Sequence, residues 1–439
     1  MVASLSNLLR LMRDHGADRI YAKKLSPNDN SKNQIYLGGG FGALNIIPHG
    51  EIYTDTRELA GSKQDRPKAA VGFYWLDENG RHHAPNAQLI LYPDYPEVRM
   101  SGFLKGCKAA PSGLLTVRDE GRVLFFGVTA QGDVLGYATG PDHPITAEIN
   151  AGDWQTVGVF IELPTDPDSK ISPRDILLSE LQRIYGLHWI ASQKLARDGT
   201  KAPYAARNGG GYTLEAELGI TPNGYSEPDF MGWEVKQYAV NNFTKFLPKG
   251  PVTLMTPEPT GGIYKDEGPA EFLRRFGYAD KSGKPDRFNF GGIYTCDKAF
   301  HADTGLRITV NGYDAASGKI TDLDGGIALV NAADELAANW SFKGMMEHWN
   351  RKHAQAAYVP SIFQTPPPQY AYGPRVLLCE QTDFLLFLKA FSSGVVYYDP
   401  AVKVEKASSE RPEVKRRSQF RVKHNQITQM YHRHEIVEL

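Results

Sequence analysis

The apolar pattern divides the chain once, near residue 165. The opening stretch MVASLSNLLRLMRDHGADR places Leu5, Leu8, Leu9 and Met12 on one face of a helix. Short β-rich runs follow: VGFYWL, AQLILY, EVRMSGF, RVLFFGVT and QTVGVFIEL. Turn residues separate them, and such a series predicts a small β-barrel or sandwich. The stretch 163–175, LPTDPDSKISPRD, sets Pro164, Pro167 and Pro173 among Asp and Ser, and it reads as a linker. Beyond it, helices and strands mix. ILLSELQRIYGLHWIASQKLARDG predicts a long amphipathic helix or a pair, WEVKQY and VTLM short strands, and AEFLRRFGY a helix. LRITVNGYD and KITDLDGGIALVN predict a hairpin, ELAANWSFKGMMEHWNRKHA another helix, and TPPPQYAYGP a rigid internal loop. That mixture is an α/β or α+β domain.

The length, 439 residues, also favours two domains, with three possible. Hydrophobic residues at 41% and charged residues at 23% exclude a disordered, collagen-like or coiled-coil chain. Lys+Arg at 49 balance Asp+Glu at 50, so any sign of a nucleic-acid partner must come from local clustering. Cys107, Cys296 and Cys379 are too few and too scattered for a disulfide framework or a zinc site, and a reducing cytoplasm suits them. Arg10 and Arg13 interrupt any signal-peptide core. DFLLFLKAF, the most apolar run, is too short and too charged to span a membrane. The expectation is a cytoplasmic protein.

Chemistry concentrates in GGGYTLEAELGITPNGYSEPDFMGWEVKQY (209–238). Glu234 and Lys236 lie two apart in a strand-like run, so both leave the same face. Asp229 lies five residues earlier, behind Pro228, where a turn can fold it back beside Glu234. Two carboxylates and an ammonium on one edge suit Mg²⁺, which takes a few carboxylates together with phosphate and water oxygens. Such an ion lowers the pKa of a water and stabilises charge on a phosphodiester in flight. The lysine can orient the water or hold a phosphate oxygen. Spacing alone also describes a surface ion pair, but interleaved Phe230, Met231 and Trp233 argue for a half-buried strand. TLEAELG reads as a short helix with Thr213 as N-cap and Gly219 as stop. Glu215 and Glu217 diverge on that helix, so at most one joins the site.

GGGYTLEAELGI followed by EPDFMGWEVK resembles the signature of the MvaI/BcnI restriction endonucleases, PD-(D/E)xK nucleases close to the nickase MutH. Pro228 and Asp229 match the PD, Glu234 and Lys236 the ExK, and Glu215 the upstream helix glutamate. Val235 stands where Leu is more usual. The flanking LHWIASQKLARDGTKAPYAARNGGG and PVTLMTPEP are also similar. The resemblance implies that Asp229 and Glu234 hold the metal, that Lys236 positions the attacking water and that Glu215 supports the metal or its water. It also implies a monomer that cuts the two strands in turn.

RIYAKKLSPNDNSKNQIYLG (19–38) resembles the opening of the amino-terminal effector domain of the EcoRII endonuclease, a β-pseudobarrel that grips DNA with two arms. The first arm would carry Lys23, Lys24, Asn28, Asn30, Lys32, Asn33 and Gln34. The second, within EVRMSGFLKGCK (97–108), would carry Arg99 and Lys105. A polar hairpin loop is the plainer reading of NDNSKN. From Lys403 to His424 eight Lys/Arg stand against three Glu. Within KRRSQFRVKH, alternation puts Lys415, Arg417, Gln419, Arg421 and Lys423 on one strand face and Ser418, Phe420 and Val422 on the other. That donor face suits base edges or phosphates, and a charged edge strand is its bland alternative.

His82–His83, His432 with His434, and Asp322 with Asp324 lack the partners of a metal site. The glycine runs at 38–40 and 209–211 lack the Lys-Ser/Thr of a phosphate loop. Trp340 and Trp349 read as core. The expected architecture is a β-pseudobarrel DNA-binding domain (1–165), a linker (166–175) and an α/β PD-(D/E)xK catalytic and recognition domain (176–439). The expected function is a type II, Mg²⁺-dependent endonuclease for double-stranded DNA. Both resemblances point to CCWGG, and they imply a cognate methyltransferase encoded nearby. The alternatives are a MutH-like nickase and a non-catalytic DNA-binding regulator.

Overall fold

The computed structural model describes residues 2–31, 34–54, 66–93, 95–165, 172–206, 208–221 and 229–439. The chain forms two compact units, Met1–Ser179 and Glu180–Leu439. Both mix helices with several sheets. Among the described residues no helix is long and apolar enough to cross a membrane.

In the first unit the helix Leu5–Asp14 starts at Ser4, whose hydroxyl accepts a hydrogen bond from the Asn7 N–H. Its stripe of Leu5, Leu8, Leu9 and Met12 is buried with Ile20, Phe125, Ile145 and Ile149. Seven strands make one sheet, in the order Thr156–Val157, Phe160–Leu163, Ala17–Lys24, Val123–Thr129, Val134–Thr139, Phe73–Asp77, Gly80–His83. Every residue of Val123–Thr129 is buried, as a central strand covered on both faces must be. Five further strands, from Ile35–Gly39 to Tyr53–Thr54, make a second, antiparallel sheet.

Between Ala17–Lys24 and Ile35–Gly39 the loop is knit inward by its own donors. Asp29 accepts from Lys23 Nζ (2.7 Å), Ser26 N (3.2 Å) and Tyr36 N (2.8 Å). The buried Arg122 guanidinium donates to the carbonyls of Ser26, Asp29, Leu114 and Asp119. Those bonds satisfy carbonyls that would otherwise be orphaned, which holds the stretch from Ser26 to Asp29 in place.

The second unit is built on a sheet in the order Ile190–Ala191, Gln369–Tyr372, Gln355–Gln364, Arg375–Thr382, Tyr431–Glu438. Glu234–Ala239 pairs in parallel with Gln355–Gln364, Glu234 opposite Ala356 and Lys236 opposite Tyr358. Helix Phe342–His353 leads directly into Gln355–Gln364, which places its last turn beside the start of Glu234–Ala239. A smaller sheet, Val252–Met255, Phe420–Val422, Val396–Tyr398, carries the end of the carboxyl-terminal basic segment.

Three expected elements differ. The helix that begins at Pro173 ends at Gly186, and the remainder of that stretch forms the strands Ile190–Ala191 and Gln193–Leu195. Residues 336–341, expected to be helical, form a strand against Gly326–Val330, and the helix begins only at Phe342. The loop 365–374 contains the strand Gln369–Tyr372.

Candidate active site

A tight turn builds the centre of the site. Phe230 N donates to Trp233 O (2.9 Å) and Trp233 N to Phe230 O (2.8 Å), with Met231 at φ 46° and Gly232 at φ 88° between them. Positive φ at both central positions is the hairpin geometry that reverses a chain in the fewest residues. Trp233, 1% exposed, anchors it. The reversal brings Asp229 back alongside the strand, where its Oδ2 accepts from Val235 N (3.0 Å). Pro228 lies outside the described residues.

On the strand, Lys236 Nζ donates to Glu234 Oε1 (2.8 Å). Lys352, from the last turn of helix Phe342–His353, approaches the same oxygen at 3.6 Å. Glu234 is 3% exposed, and its other oxygen, Oε2, is buried and meets no N–H donor, while a proton on the neighbouring Asp229 carboxyl is within hydrogen-bonding reach of Glu234. A buried carboxylate oxygen left unsatisfied costs on the order of 1–3 kcal/mol unless a further positive group meets it.

The helix Gly209–Glu217 supplies the upstream acid. Its first two residues, Gly209 and Gly210, leave no room for a side chain. A Cβ at Gly209 would lie 2.5 Å from Ser192 Oγ, and one at Gly210 would lie 3.0 Å from the Gln237 side chain. The expected N-cap, Thr213, is instead inside the helix, and its hydroxyl accepts from Gln193 N (3.0 Å). Gly219, at φ 75°, follows the helix end. Glu215 lines the same groove as Asp229, Glu234 and Lys236. Glu217 points elsewhere, accepting from Gln193 Nε2 and Lys201 Nζ, each at 2.6 Å.

Charge sets the acids apart. Burial, then the neighbouring Glu234 carboxylate, pushes the Asp229 carboxyl up to about 7. The same two causes raise Glu215. Burial acts to raise Glu234 too, but Lys236 and Lys352 outweigh it and hold that carboxyl below its usual range. One acid is held ionised while its neighbour sits near neutrality, a split found where groups have different chemical tasks. Beneath the site lies a neutral layer. Burial, with Lys236 nearby, holds His353 well below the ordinary histidine range, and the ring stacks on Trp349 and bonds to Leu254 O and Tyr431 Oη. The groove over these groups has a volume of about 1030 Å³ and is open to solvent. Among the described residues no three His, Cys, Asp or Glu side chains gather closely enough to enclose an ion by themselves.

The sequence model of the MvaI/BcnI restriction endonuclease family matches residues 178–431. The chain belongs to the MvaI/BcnI family. Among solved structures it is similar to the restriction endonuclease MvaI in complex with cognate DNA substrate, at 15% identity and a TM-score of 0.45 over 62% of this chain and 99% of that one. It is also similar to MvaI in the absence of DNA, at 14% identity and a TM-score of 0.34 over the same shares. No curated protein matches it. Membership makes the second unit a site-specific DNA nuclease.

In this MvaI/BcnI family member the expected DNA contacts fare unevenly. Asn28, Gln34 and Arg99 line one groove of about 730 Å³ in the first unit, with Tyr36, Tyr92 and Arg118. Arg99 lies over the Tyr92 ring at 5.1 Å and pairs with Glu97 at 2.8 Å, while Tyr92 Oη donates to Gln34. Lys24 and Lys105 are exposed, and Lys32 and Asn33 lie outside the described residues. Lys23 and Asn30 need correction. Lys23 is 4% exposed and its ammonium is committed to the buried Asp29, while Asn30 is fully buried and donates to Pro27 O. Neither side chain presents its polar atoms to a ligand, because the loop's own unsatisfied groups claim them.

The basic face 415–423 also needs correction, since it is two strands and not one. Lys415 belongs to Glu413–Lys415, paired with Ala401–Glu405, whereas Arg421 belongs to Phe420–Val422 in another sheet. Between them Ser418 turns inward to donate to Pro257 O (2.6 Å), and the buried Gln419 amide reaches Thr253 Oγ1 (3.3 Å). Arg417 and Lys423 are exposed. Arg421 lines the catalytic groove while paired with Asp399 at 2.6 Å. Lys352 had no signal in the sequence. Its place at Glu234 depends on the parallel pairing of two strands far apart in the chain.

Proposed function

We propose that this chain is a type II restriction endonuclease that hydrolyses phosphodiesters of double-stranded DNA at CCWGG with Mg²⁺, acting as a monomer. The observation that carries the reading is the buried Glu234 carboxylate, whose Oε2 meets no N–H donor, beside Asp229 and Lys236 on the floor of an open groove. Asp229 and Glu234 fit the cation, and the ion would supply a water of lowered pKa and charge stabilisation for the phosphate. Lys236, held by Glu234, orients the attacking water. Lys352 keeps Glu234 ionised and adds positive charge near the phosphate. Glu215, its carboxyl raised, is suited to exchange a proton with water in the groove.

The first unit would be a β-pseudobarrel DNA-binding domain, with Asn28, Gln34, Arg99, Lys24 and Lys105 as its contacts. Its groove combines amide donors, two guanidinium groups and phenol rings, groups that read bases and hold backbone. The test is plasmid DNA with and without Mg²⁺, followed by sequencing of the ends. Cutting of both strands at CCWGG supports the reading. Single-strand nicks would turn it into a nickase, and intact plasmid would remove the catalytic assignment. Asp229→Ala and Glu234→Ala should each lose cleavage by several orders of magnitude while still shifting target DNA in the presence of Ca²⁺.

A further inference from the structure

A second cavity opens beside the catalytic groove and shares Tyr212 and Thr221 with it. Its volume is about 370 Å³, and its other wall is a hairpin of Gln193–Leu195 and Lys201–Pro203. The hairpin is rigidly mounted. Thr213 on the helix Gly209–Glu217 bonds both the N–H and the carbonyl of Gln193, and Glu217 takes Gln193 and Lys201. At the tip, Asp198 accepts from the N–H and hydroxyl of Thr200, and Gly199 takes φ 82°. Such a turn holds its shape without a ligand.

The cations of the hairpin are not equivalent. Lys201 is neutralised by Glu217. Lys194 and Arg197 are exposed, line the cavity, and have no carboxylate partner among the described residues. Lys194 Nζ lies 5.6 Å from the Tyr204 ring, which meets Tyr212 edge-on at 5.0 Å. Among the described residues that line it, the cavity therefore offers two uncompensated positive charges and two phenol rings, and no side-chain amide that would read a base edge. That inventory fits a sugar-phosphate unit.

We propose that this cavity holds a backbone phosphate of the cleaved strand next to the scissile one, with Lys194 and Arg197 as its clamp and Tyr204 and Tyr212 against the sugar. The clamp rests on the nuclease reading. It acts on position along the strand, not on sequence, because phosphates carry no base identity. Holding the neighbouring phosphate fixes the scissile one over Asp229 and Glu234.

The test uses the full chain and the duplex that it cuts. With Ca²⁺ in place of Mg²⁺, binding of wild type and of Lys194→Ala/Arg197→Ala is measured over a range of salt. The variant should bind more weakly, with a log–log salt slope shallower by about 1–2. Its preference for the cut site over a duplex with one base pair changed should stay as in wild type. A duplex with one neutral methylphosphonate linkage beside the cut should weaken wild type and leave the variant nearly unaffected. An unchanged salt slope, or equal sensitivity of the two proteins to the neutral linkage, overturns the clamp while leaving the nuclease reading intact. Loss of site preference would make the hairpin a base reader instead. Failure of wild type to cut any DNA sinks both. Lys194→Gln/Arg197→Gln repeats the measurement with longer side chains, and equal thermal midpoints exclude unfolding.

Discussion

Replacing Asp229 by Asn should make the metal-free protein more stable at alkaline pH while abolishing cleavage. The native carboxyl titrates at about 7, against an ordinary value of 3.8. The folded state therefore binds the proton more tightly than the unfolded state does. Asp229 favours folding fully below pH 3.8, and that contribution is lost progressively as pH rises toward 7. The whole shift corresponds to about 4 kcal/mol. The groove is open to water, and screening leaves about 1–2 kcal/mol of it. Asn keeps an oxygen for the Val235 N–H and never ionises. In thermal unfolding with chelator present, wild type should lose ground to Asp229→Asn between pH 5 and pH 8, by about 2–6 °C. Adding Mg²⁺ at pH 8 should stabilise wild type by mass action and leave the variant nearly unchanged. Parallel pH profiles for the two proteins would refute the reasoning, because they would mean that Asp229 is not an electrostatic burden in the folded state.

Glu215→Gln should cut the cleavage rate strongly without lowering the melting temperature, because its raised carboxyl does not favour folding once ionised, whereas Glu217→Gln should cost about 1 kcal/mol of stability and keep cleavage, since Glu217 ties the hairpin to the helix. Single-turnover rates and melting curves separate the two, and the reverse order would show the helix phase to be wrong. Lys352→Ala should slow cleavage on the order of tenfold or more and move the acid limb of the pH–rate profile to higher pH, because Glu234 loses a charge that holds it ionised. An unmoved limb would remove Lys352 from the site. Lys24→Ala should flatten the salt dependence of DNA binding by about 1 and leave stability alone, whereas Lys23→Ala should destabilise the first unit by about 3–5 kcal/mol by stranding Asp29. Equal melting temperatures for these two variants would contradict the buried pair.

What was legible in the sequence was local. The strand Glu234–Ala239 follows from its alternation, the end of the helix at Gly219 from a glycine at positive φ, and the divergence of Glu215 and Glu217 from helical geometry. What was not legible depends on pairing across the chain. LHWIASQKL has helix-compatible apolar spacing, yet Ile190 pairs with Tyr370, and that distant partner decides its conformation. Residues 336–341 include good helix formers, but Trp340 opposes Ile327 and is fully buried as a strand residue. The alternation of 415–423 is real in the letters and broken in space, because Pro257 O and Thr253 lie where Ser418 and Gln419 can reach them. Lys23 was misread for a related reason. A lysine next to a polar loop looks solvated until Asp29, six residues later, is found folded beneath it.

The arrangement of charge explains why these residues belong together and would make a poor core otherwise. Glu215, Asp229 and Glu234 face Lys236 and Lys352, three negative charges against two positive when all are ionised. Lys249 and Arg421 line the same groove but do not act on these acids, so close to them the imbalance is costly, and it appears as the raised Asp229 and Glu215. A sequence selected for stability alone would remove one acid or add one cation. Removing Asp229 relieves the strain at its source, which is why the Asn variant should gain stability. Adding a divalent cation relieves it as well, and draws both raised acids down together. The proton and the cation then compete for one carboxyl, so metal affinity should climb through the pH range in which Asp229 titrates. A site for a neutral or anionic small molecule would gain nothing from such a deficit. The proposed site, which would hold a dication against an incoming phosphate, would use one.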